Sequence, residues 1–497
     1  MYKRQVVDTA DDADGDGFSE DGGDCDDTDA DVYPGAIEVC ENNLDDDCDG
    51  FDLWCVASGS VTLDVEPAFQ SGSSYDHGSA TLLTDIDGDG YDDLVIGERA
   101  SRTGATNGGQ VYWMFGPLQR GEVDFAGVRT PDRALYGSTR DDYVGGDVWT
   151  AGDLDGDGLD DLIAGAEGVG TGGAAYLIVG AVSAVGDDDI ATAATTTIQA
   201  AAAGDAFGTR VSGGDLNGDG APDLVVTAPN SDDGATDAGT AYIFLGPITG
   251  STLSATAADA TISADTALAG LEAVEVVRDT DGDGLDDLLL GAAQHEGASG
   301  VYGTGAAWLF TQGPTSGSLS VADADTTFDA EGSADAVGAD VASGGDIDGD
   351  GLTELLIGAS TTSAGTHSRG GIAYLFYGGT VASGSVDLGT ADTRFLATTS
   401  NSHVGDGLGT AGDVDGDGFD DLLIGDPGGD ALHLFRAPVA AGDVSLGDSD
   451  AALGPWGETT AGQVGLPGDQ DGDGFDDVVV AAPDSLGRVW VQAGGID

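Results

Sequence analysis

The side chains best placed to do chemistry are carboxylates that recur as close copies of D-x-D-G-D-G-x-x-D, starting at Asp85, Asp153, Asp215, Asp279, Asp346, Asp413 and Asp469. In such a loop, alternate residues turn their oxygens toward one point, and glycine at position 6 permits the sharp turn. Positions 1, 3, 5 and 9 offer side-chain oxygens and position 7 a main-chain carbonyl. The first two candidate sets are Asp85, Asp87, Asp89, Tyr91 and Asp93, then Asp153, Asp155, Asp157, Leu159 and Asp161. The third is Asp215, Asn217, Asp219, Ala221 and Asp223, and the fourth Asp279, Asp281, Asp283, Leu285 and Asp287. Asp346, Asp348, Asp350, Leu352 and Glu354 form the fifth, and Asp413, Asp415, Asp417, Phe419 and Asp421 the sixth. Asp469, Asp471, Asp473, Phe475 and Asp477 complete the series. Asn217 and Glu354 depart from the pattern, yet each still offers an oxygen. An all-oxygen set of this size suits Ca²⁺, whereas Mg²⁺ prefers octahedral sites rich in water and transition metals draw on His or Cys. About seven Ca²⁺ ions are expected, with binding coupled to folding because the carboxylates repel one another without the ion.

The elements that must hold these loops follow from the repeat. Successive loops start 68, 62, 64, 67, 67 and 56 residues apart, and each runs into an apolar triplet: LVI, LIA, LVV, LLL, LLI, LLI or VVV. Strands apolar on successive residues are covered on both faces. Units of this length accommodate four short strands, and a ring of such blades covers both faces of each. In the first unit the strands read SATLL, Asp93–Gly97, VYWMF and EVDFAG. No acidic ligand stands at position 12 and no flanking helices are readable, so an EF-hand is excluded. The expected fold is all-β, a seven-bladed β-propeller of four-stranded blades over residues 58–497. The segment GSVTLDVEP, residues 59–67, reads like GSVDLGTADTRF and GDVSLGDSD further along and is expected to close the last blade.

The chain has 497 residues, with 91 Asp and Glu against 14 Lys and Arg, and a formal charge of −77. Such a surface repels nucleic acid and anionic membrane, so neither is expected as a partner. Ligand positions account for 27 of the acids, and the rest make an unusually acidic surface. No apolar run is long enough to span a membrane. The start MYKRQVVDTADD carries no apolar leader, so either the protein is cytosolic or its true start is missing. The clustered cysteines and the calcium-type loops argue for export, and the chain is expected to be a piece that lacks its leader.

Residues 1–57 read as a separate module, too polar to bury a core of its own. All four cysteines (Cys25, Cys40, Cys48 and Cys55) lie there, and two disulfides are expected in one of three connectivities, with a thiolate zinc site as the competing reading. Two further acidic starts, Asp12-Asp14-Asp16 and Asp45-Asp47-Asp49, are candidate metal ligands. Through DCDD, PGAIEVC and DDDCDG this stretch resembles the cysteine-containing metal-binding motif of bacterial secreted proteins, and more distantly the thrombospondin type-three repeats.

The larger part resembles the FG-GAP repeats of integrin α-subunit propellers, where such a loop joins the first two strands of a blade. Phe207-Gly208 carries the "FG" literally, with counterparts at His77-Gly78, Val144-Gly145, Val337-Gly338, Val404-Gly405 and Ala461-Gly462. The "GAP" end is best kept at Thr227-Ala228-Pro229, Gly425-Asp426-Pro427 and Ala481-Ala482-Pro483. The resemblance implies a secreted or cell-surface adhesion or ligand-binding scaffold that is not an enzyme, with the ligand on the face opposite the calcium loops. On that face the long loops hold Arg99, Arg102, His295, Tyr302, His367 and Arg369, suited to a protein or glycan ligand, and a monomer is expected. No GxSxG, HExxH or phosphate loop is present. The alternative is a non-catalytic propeller of a larger secreted enzyme of polysaccharide lyase or phospholipase type.

Overall fold

The computed structural model describes residues 59–61, 69–70, 80–117, 131–154, 158–179, 186–332, 335–453, 463–470, 472, 474–482 and 488–492. The chain divides into two compact units, Met1–Ala57 with Gly495–Asp497, and Ser58–Gly494. The described residues all belong to the second, so the four cysteines and Asp12, Asp14, Asp16, Asp45, Asp47 and Asp49 lie outside them, as does EVDFAG.

The fifth unit shows how the sequence builds a sheet. Val337–Gly345 leads into the acidic loop, Glu354–Ala359 leaves it, and Ile372–Phe376 and Thr393–Leu396 follow, each antiparallel to the one before. Glu354–Ala359 and Ile372–Phe376 are buried at every position, which is the physical meaning of an apolar triplet without alternation. Leu355, Ile357, Tyr374 and Phe395 pack with Leu289 from the preceding unit and Leu422 and Phe435 from the next. Each such side chain stabilises the ring by roughly 1.5–3 kcal/mol on burial.

A fifth strand then arrives from outside the repeat. Gly442–Ser445 pairs parallel with Thr393–Leu396, and the same parallel addition joins Gly186–Asp189 to Arg133–Tyr136, Thr252–Ser254 to Thr196–Gln199, Gly317–Ser320 to Ala260–Ser263, and Gly384–Asp387 to Thr326–Asp329. The expected fold is therefore corrected: among the described residues the propeller has six five-stranded blades rather than seven four-stranded ones, with a smaller four-stranded sheet made of Phe69–Gln70, Arg488–Gln492, Val478–Ala482 and Gln463–Val464. The parallel strand covers an outer edge that four strands would leave open.

The placement of residues 59–67 is corrected with it. Gly59–Val61 pairs parallel with Ala451–Leu453 as the fifth strand of the sixth unit's sheet, and Phe69–Gln70 pairs with Arg488 and Val489. The likeness between GSVTL, GSVDL and GDVSL thus marks a shared role as a fifth strand, each starting on the blade before its own unit.

Neighbouring units meet through glycine. A Cβ on Gly358, in the second strand of the fifth unit, would overlap the Gly405 carbonyl of the sixth, and Gly97, Gly165 and Gly291 meet Gly145, Gly208 and Gly338 in the same way. The "FG" glycine is thus a point of close backbone approach between blades. Gly358→Ala is expected to cost about 2 kcal/mol through overpacking against rigid backbone. Gly447→Ala, whose Cβ would meet only Ser445 Oγ and Thr398 Cγ2 at 3.5 and 3.6 Å, is expected to be near neutral. Thermal melts of the two variants check the contrast.

Around the axis, first strands are tied by charge. Asp147 and Asp340 accept from the Val211 and Leu408 amides of the following units, at 2.8 and 3.0 Å. Arg210 stands 3.8 Å from Asp147, and these groups line a cavity of about 120 Å³ with Glu275 and Asp406. Burial pushes Asp147 up to about 6 and Asp340 up to about 7, against the pull of Arg210.

Candidate metal centre

The fourth loop, Asp279 to Asp287, is fully described and shows the geometry. Asp279 accepts the Gly282 amide at 2.7 Å on one oxygen and the Gly284 amide at 3.0 Å on the other. Asp281 accepts the Asp283 amide at 3.1 Å, and Asp283 the Leu285 amide at 2.9 Å. Gly282 and Gly284 both sit at left-handed φ, +85° and +86°, so position 4 needs glycine as much as position 6. The loop therefore holds its carboxylates convergent through its own backbone.

Position 9 differs in kind. Asp287 is fully buried, while Asp281 and Asp283 are exposed. Its Oδ2 accepts from the Thr280 amide at 2.7 Å and from the Thr280 hydroxyl. The same bond from the position-2 amide recurs at Asp93, Asp161, Glu354, Asp421 and Asp477. Asp93, Asp223 and Asp421 also accept an amide just after the third strand, from Gly116, Gly246 and Ala437 at 2.7–2.8 Å. Position 9 thus fastens the loop to the sheet beneath it.

Among the described residues, carboxylate oxygens within 4.8 Å of one another occur at Asp279, Asp281 and Asp283, at Asp346, Asp348 and Asp350, at Asp413, Asp415 and Asp417, and at Asp85, Asp87 and Asp93. These clusters bring together three of the four expected carboxylates in each loop, with Asp89, Asp287, Glu354 and Asp421 outside them. In the third loop Asn217 donates to Asp223 at 3.3 Å and accepts the Asp219 amide at 2.8 Å, so one expected ligand is partly engaged by another. In the sixth, Arg436 lies 3.3 Å from Asp415 and competes for a ligand oxygen. Asp155, Asp157, Asp471 and Asp473 lie outside the described residues. Tyr91, Leu159, Ala221, Leu285, Leu352, Phe419 and Phe475 stand at position 7 of their loops.

The electrostatics ask for a cation. Burial pushes Asp93, Asp287 and Asp421 up to about 7, Asp223 up to about 6 and Glu354 up to about 8. Asp87 and Asp415 are also raised, first by burial and then by Asp89 and Asp417. Asp287 Oδ1 is buried without a hydrogen-bond partner, an acceptor that a cation would satisfy. With acceptor-only oxygens in each cluster, the donor set fits a hard cation.

Position 8 went unread in the sequence, and the signal was the DD doublet closing most loops. Asp286 Oδ2 accepts the Asp215 amide of the preceding unit at 2.8 Å, and the Asp286 amide donates to the Asp215 carbonyl at 3.3 Å. Asp420 and Asp476 hold Asp346 and Asp413 in the same two ways. The Asp92 amide reaches the Asp469 carbonyl at 3.2 Å, joining the last loop to the first.

At the opposite ends of the sheets, Arg99 is ion-paired with Glu167 and lies over the Tyr143 ring at 4.4 Å. His295 meets Asp265 at 3.0 Å and packs edge-on against Trp308. Both are thereby engaged within the protein. Arg102 and Arg369 are exposed, and the His367 backbone pairs with Ala364. Tyr302 (53 % exposed), Val301 (44 %) and Leu268 (51 %) are the exposed large apolar side chains among the described residues.

Comparison with known proteins agrees with the loops. The family described as "FG-GAP repeat" matches at residues 77–112, 207–244 and 337–376, and that described as "Putative metal-binding motif" at residues 24–52. Integrin alpha-PS5 of Drosophila melanogaster is 30 % identical over 144 residues, which are 28 % of this chain and 14 % of that protein. The match thus spans about a seventh of the relative's length. Two solved chains, from crystals of BBS1N in complex with ARL6DN soaked with lead and with mercury, each cover 86 % of this chain and 97 % of their own at 10 % identity, with TM-scores of 0.41 and 0.43. These last likenesses are too remote to bear on function. No helix among the described residues is long and apolar enough to cross a membrane. The chain carries FG-GAP repeats on an all-β propeller, preceded by a metal-binding motif.

Proposed function

We propose that this chain is a calcium-stabilised extracellular or cell-surface scaffold that binds a protein or glycan ligand on the face opposite its acidic loops. The reading rests on the asymmetry of the two faces. One end of the sheets carries the acidic loops, where carboxylates converge in the first, fourth, fifth and sixth, and among the described residues no exposed large apolar side chain lies there. At the other end, the loop between Asp287–Ala292 and Ala306–Phe310 exposes Val301 and Tyr302, and the connection between Ala260–Ser263 and Ala273–Val277 exposes Leu268. The His295–Asp265 contact ties these two segments together. An exposed tyrosine with apolar neighbours on an otherwise acidic surface is the kind of anchor that a protein partner or a sugar ring uses.

The calcium-loaded chain is therefore expected to retain partners from an array of purified surface glycans and extracellular proteins. Replacing Leu268 and Tyr302 together by alanine should weaken that binding at least tenfold, with the melting temperature unchanged. Full retention by the double variant would remove this surface from the reading.

A further inference from the structure

We propose that metal loops are coupled between neighbouring units wherever an aspartate at position 8 clasps the preceding loop, as Asp286, Asp420 and Asp476 do, a bound cation ordering the loop of the preceding unit through that carboxylate. This rests on the reading that the loops take calcium. Position 8 stands between the carbonyl expected to ligate at position 7 and the buried carboxylate at position 9, so a cation that fixes those two fixes it as well. Its own hydrogen bonds lead away from that cation. Asp420 Oδ2 accepts the Asp346 amide at 2.8 Å and the Asp420 amide donates to the Asp346 carbonyl at 3.2 Å; Asp476 and Asp413 repeat the pair at 2.9 and 3.2 Å. The residue clasped each time is position 1 of the other loop, whose two oxygens receive that loop's own amides: Gly349 and Gly351 on Asp346, Asp417 and Gly418 on Asp413. Packing runs in the same direction, because Phe419 covers Gly349 and Phe475 covers Gly416, each a position-7 side chain over a position-4 glycine of the preceding loop. Cation binding in one loop thus meets part of the ordering cost of the loop before it, which is positive coupling without any change of fold.

The sequence also sets where the coupling is strong and where it fails. Between the fourth and fifth units Thr353 keeps the amide bond to the Asp279 carbonyl at 3.2 Å but has no carboxylate to return. Between the second and third, position 8 is Pro222, which has neither amide hydrogen nor carboxylate and packs its ring against Gly152. The relay is interrupted there. Position 8 touches no cation in this scheme and is a positioning residue, of the class whose loss costs about 10- to 100-fold in metal affinity.

The test is calorimetric titration of the full, chelator-stripped chain with Ca²⁺. The parent chain is expected to bind with a Hill coefficient above 1. Asp420→Ala should leave the number of ions unchanged while lowering the steepness and weakening one site about tenfold, and Asp420→Asn, whose amide oxygen can still accept, should recover most of the loss. Pro222→Asp should steepen binding. A melt of the metal-free variants shows that each is folded, and Asp476→Ala gives the same readout at a second junction should Asp420→Ala fail to fold. Unchanged affinity and steepness in these variants would overturn the coupling while leaving the metal reading intact. A parent chain that takes up no Ca²⁺ would overturn both.

Discussion

Stripping the chain with EDTA should lower its melting temperature by about 8 °C, and adding Ca²⁺ back should restore it. The size follows from linkage. A site held at ten times its dissociation constant contributes about 1.4 kcal/mol to the folded state, and extracellular sites of this chemistry bind at roughly 10⁻⁴ to 10⁻³ M. Five loops, those starting at Asp85, Asp215, Asp279, Asp346 and Asp413, are described from end to end, so about 7 kcal/mol depends on the ion. Spread over the unfolding entropy of a propeller of this size, about 2 cal/mol/K per residue, that energy is a shift of several degrees.

Chemistry separates calcium from a general salt effect. Mg²⁺ prefers six near-ideal ligands and retains its waters, so it should restore much less of the melt than Ca²⁺ at equal concentration. Among single loops, replacing Asp281 by alanine should cost more calcium-dependent stability than the same change at Asp415, because Arg436 already partly neutralises Asp415. Melts in EDTA, Mg²⁺ and Ca²⁺ check these orderings. A melt indifferent to EDTA would sink the metal assignment.

Much of the architecture was legible because its signals are local. The apolar triplet after each loop reports a strand covered on both faces, and Glu354–Ala359 is buried throughout. The convergence of positions 1, 3 and 5 in the fourth, fifth and sixth loops was legible for the same reason, since one tight turn carries all three. What escaped depends on contacts made across units. The fifth strands GSVDL and GDVSL were visible as repeats, but their parallel pairing to the blade before is set by a partner far away in sequence, Thr326–Asp329 for Gly384–Asp387, 58 residues apart. No local periodicity encodes that register. The role of Asp286, Asp420 and Asp476 was hidden likewise, because a second aspartate beside a ligand looks like one more surface acid until its partner amide is known. Arg99 and His295 looked like ligand-binding residues for their rarity in this chain, whereas each is held by an acid of its own, Glu167 and Asp265.

Burial of position 9 produces the second large effect, a dependence of calcium stabilisation on pH. Without the ion, Asp93, Asp287 and Asp421 titrate near 7, Asp223 near 6 and Glu354 near 8, against about 4 in an unfolded chain. Between those values the native state holds protons that the unfolded state has released, so raising the pH favours unfolding. In EDTA the melting temperature should therefore fall as the pH goes from 5 to 8. A tenfold difference in proton affinity between folded and unfolded states is worth about 1.4 kcal/mol, and five groups that differ by even that much make a loss of several kcal/mol. Bound calcium keeps the same carboxylates ionised in the folded protein, which removes the proton difference and flattens the slope. The gap between melts with Ca²⁺ and with EDTA should be small at pH 5 and widest near pH 8. Glu354→Gln isolates the cause, because it keeps an acceptor for the Ile347 amide but carries no charge. In EDTA at pH 8 this variant should be more stable than the parent by about 1–2 kcal/mol, the worth of a roughly tenfold difference in proton affinity. In saturating calcium it should be less stable, since its loop has lost a carboxylate. A change of the same sign in both conditions, or a calcium-dependent gap equal at pH 5 and pH 8, would show that the buried carboxylate is a packing element with no part in holding the ion.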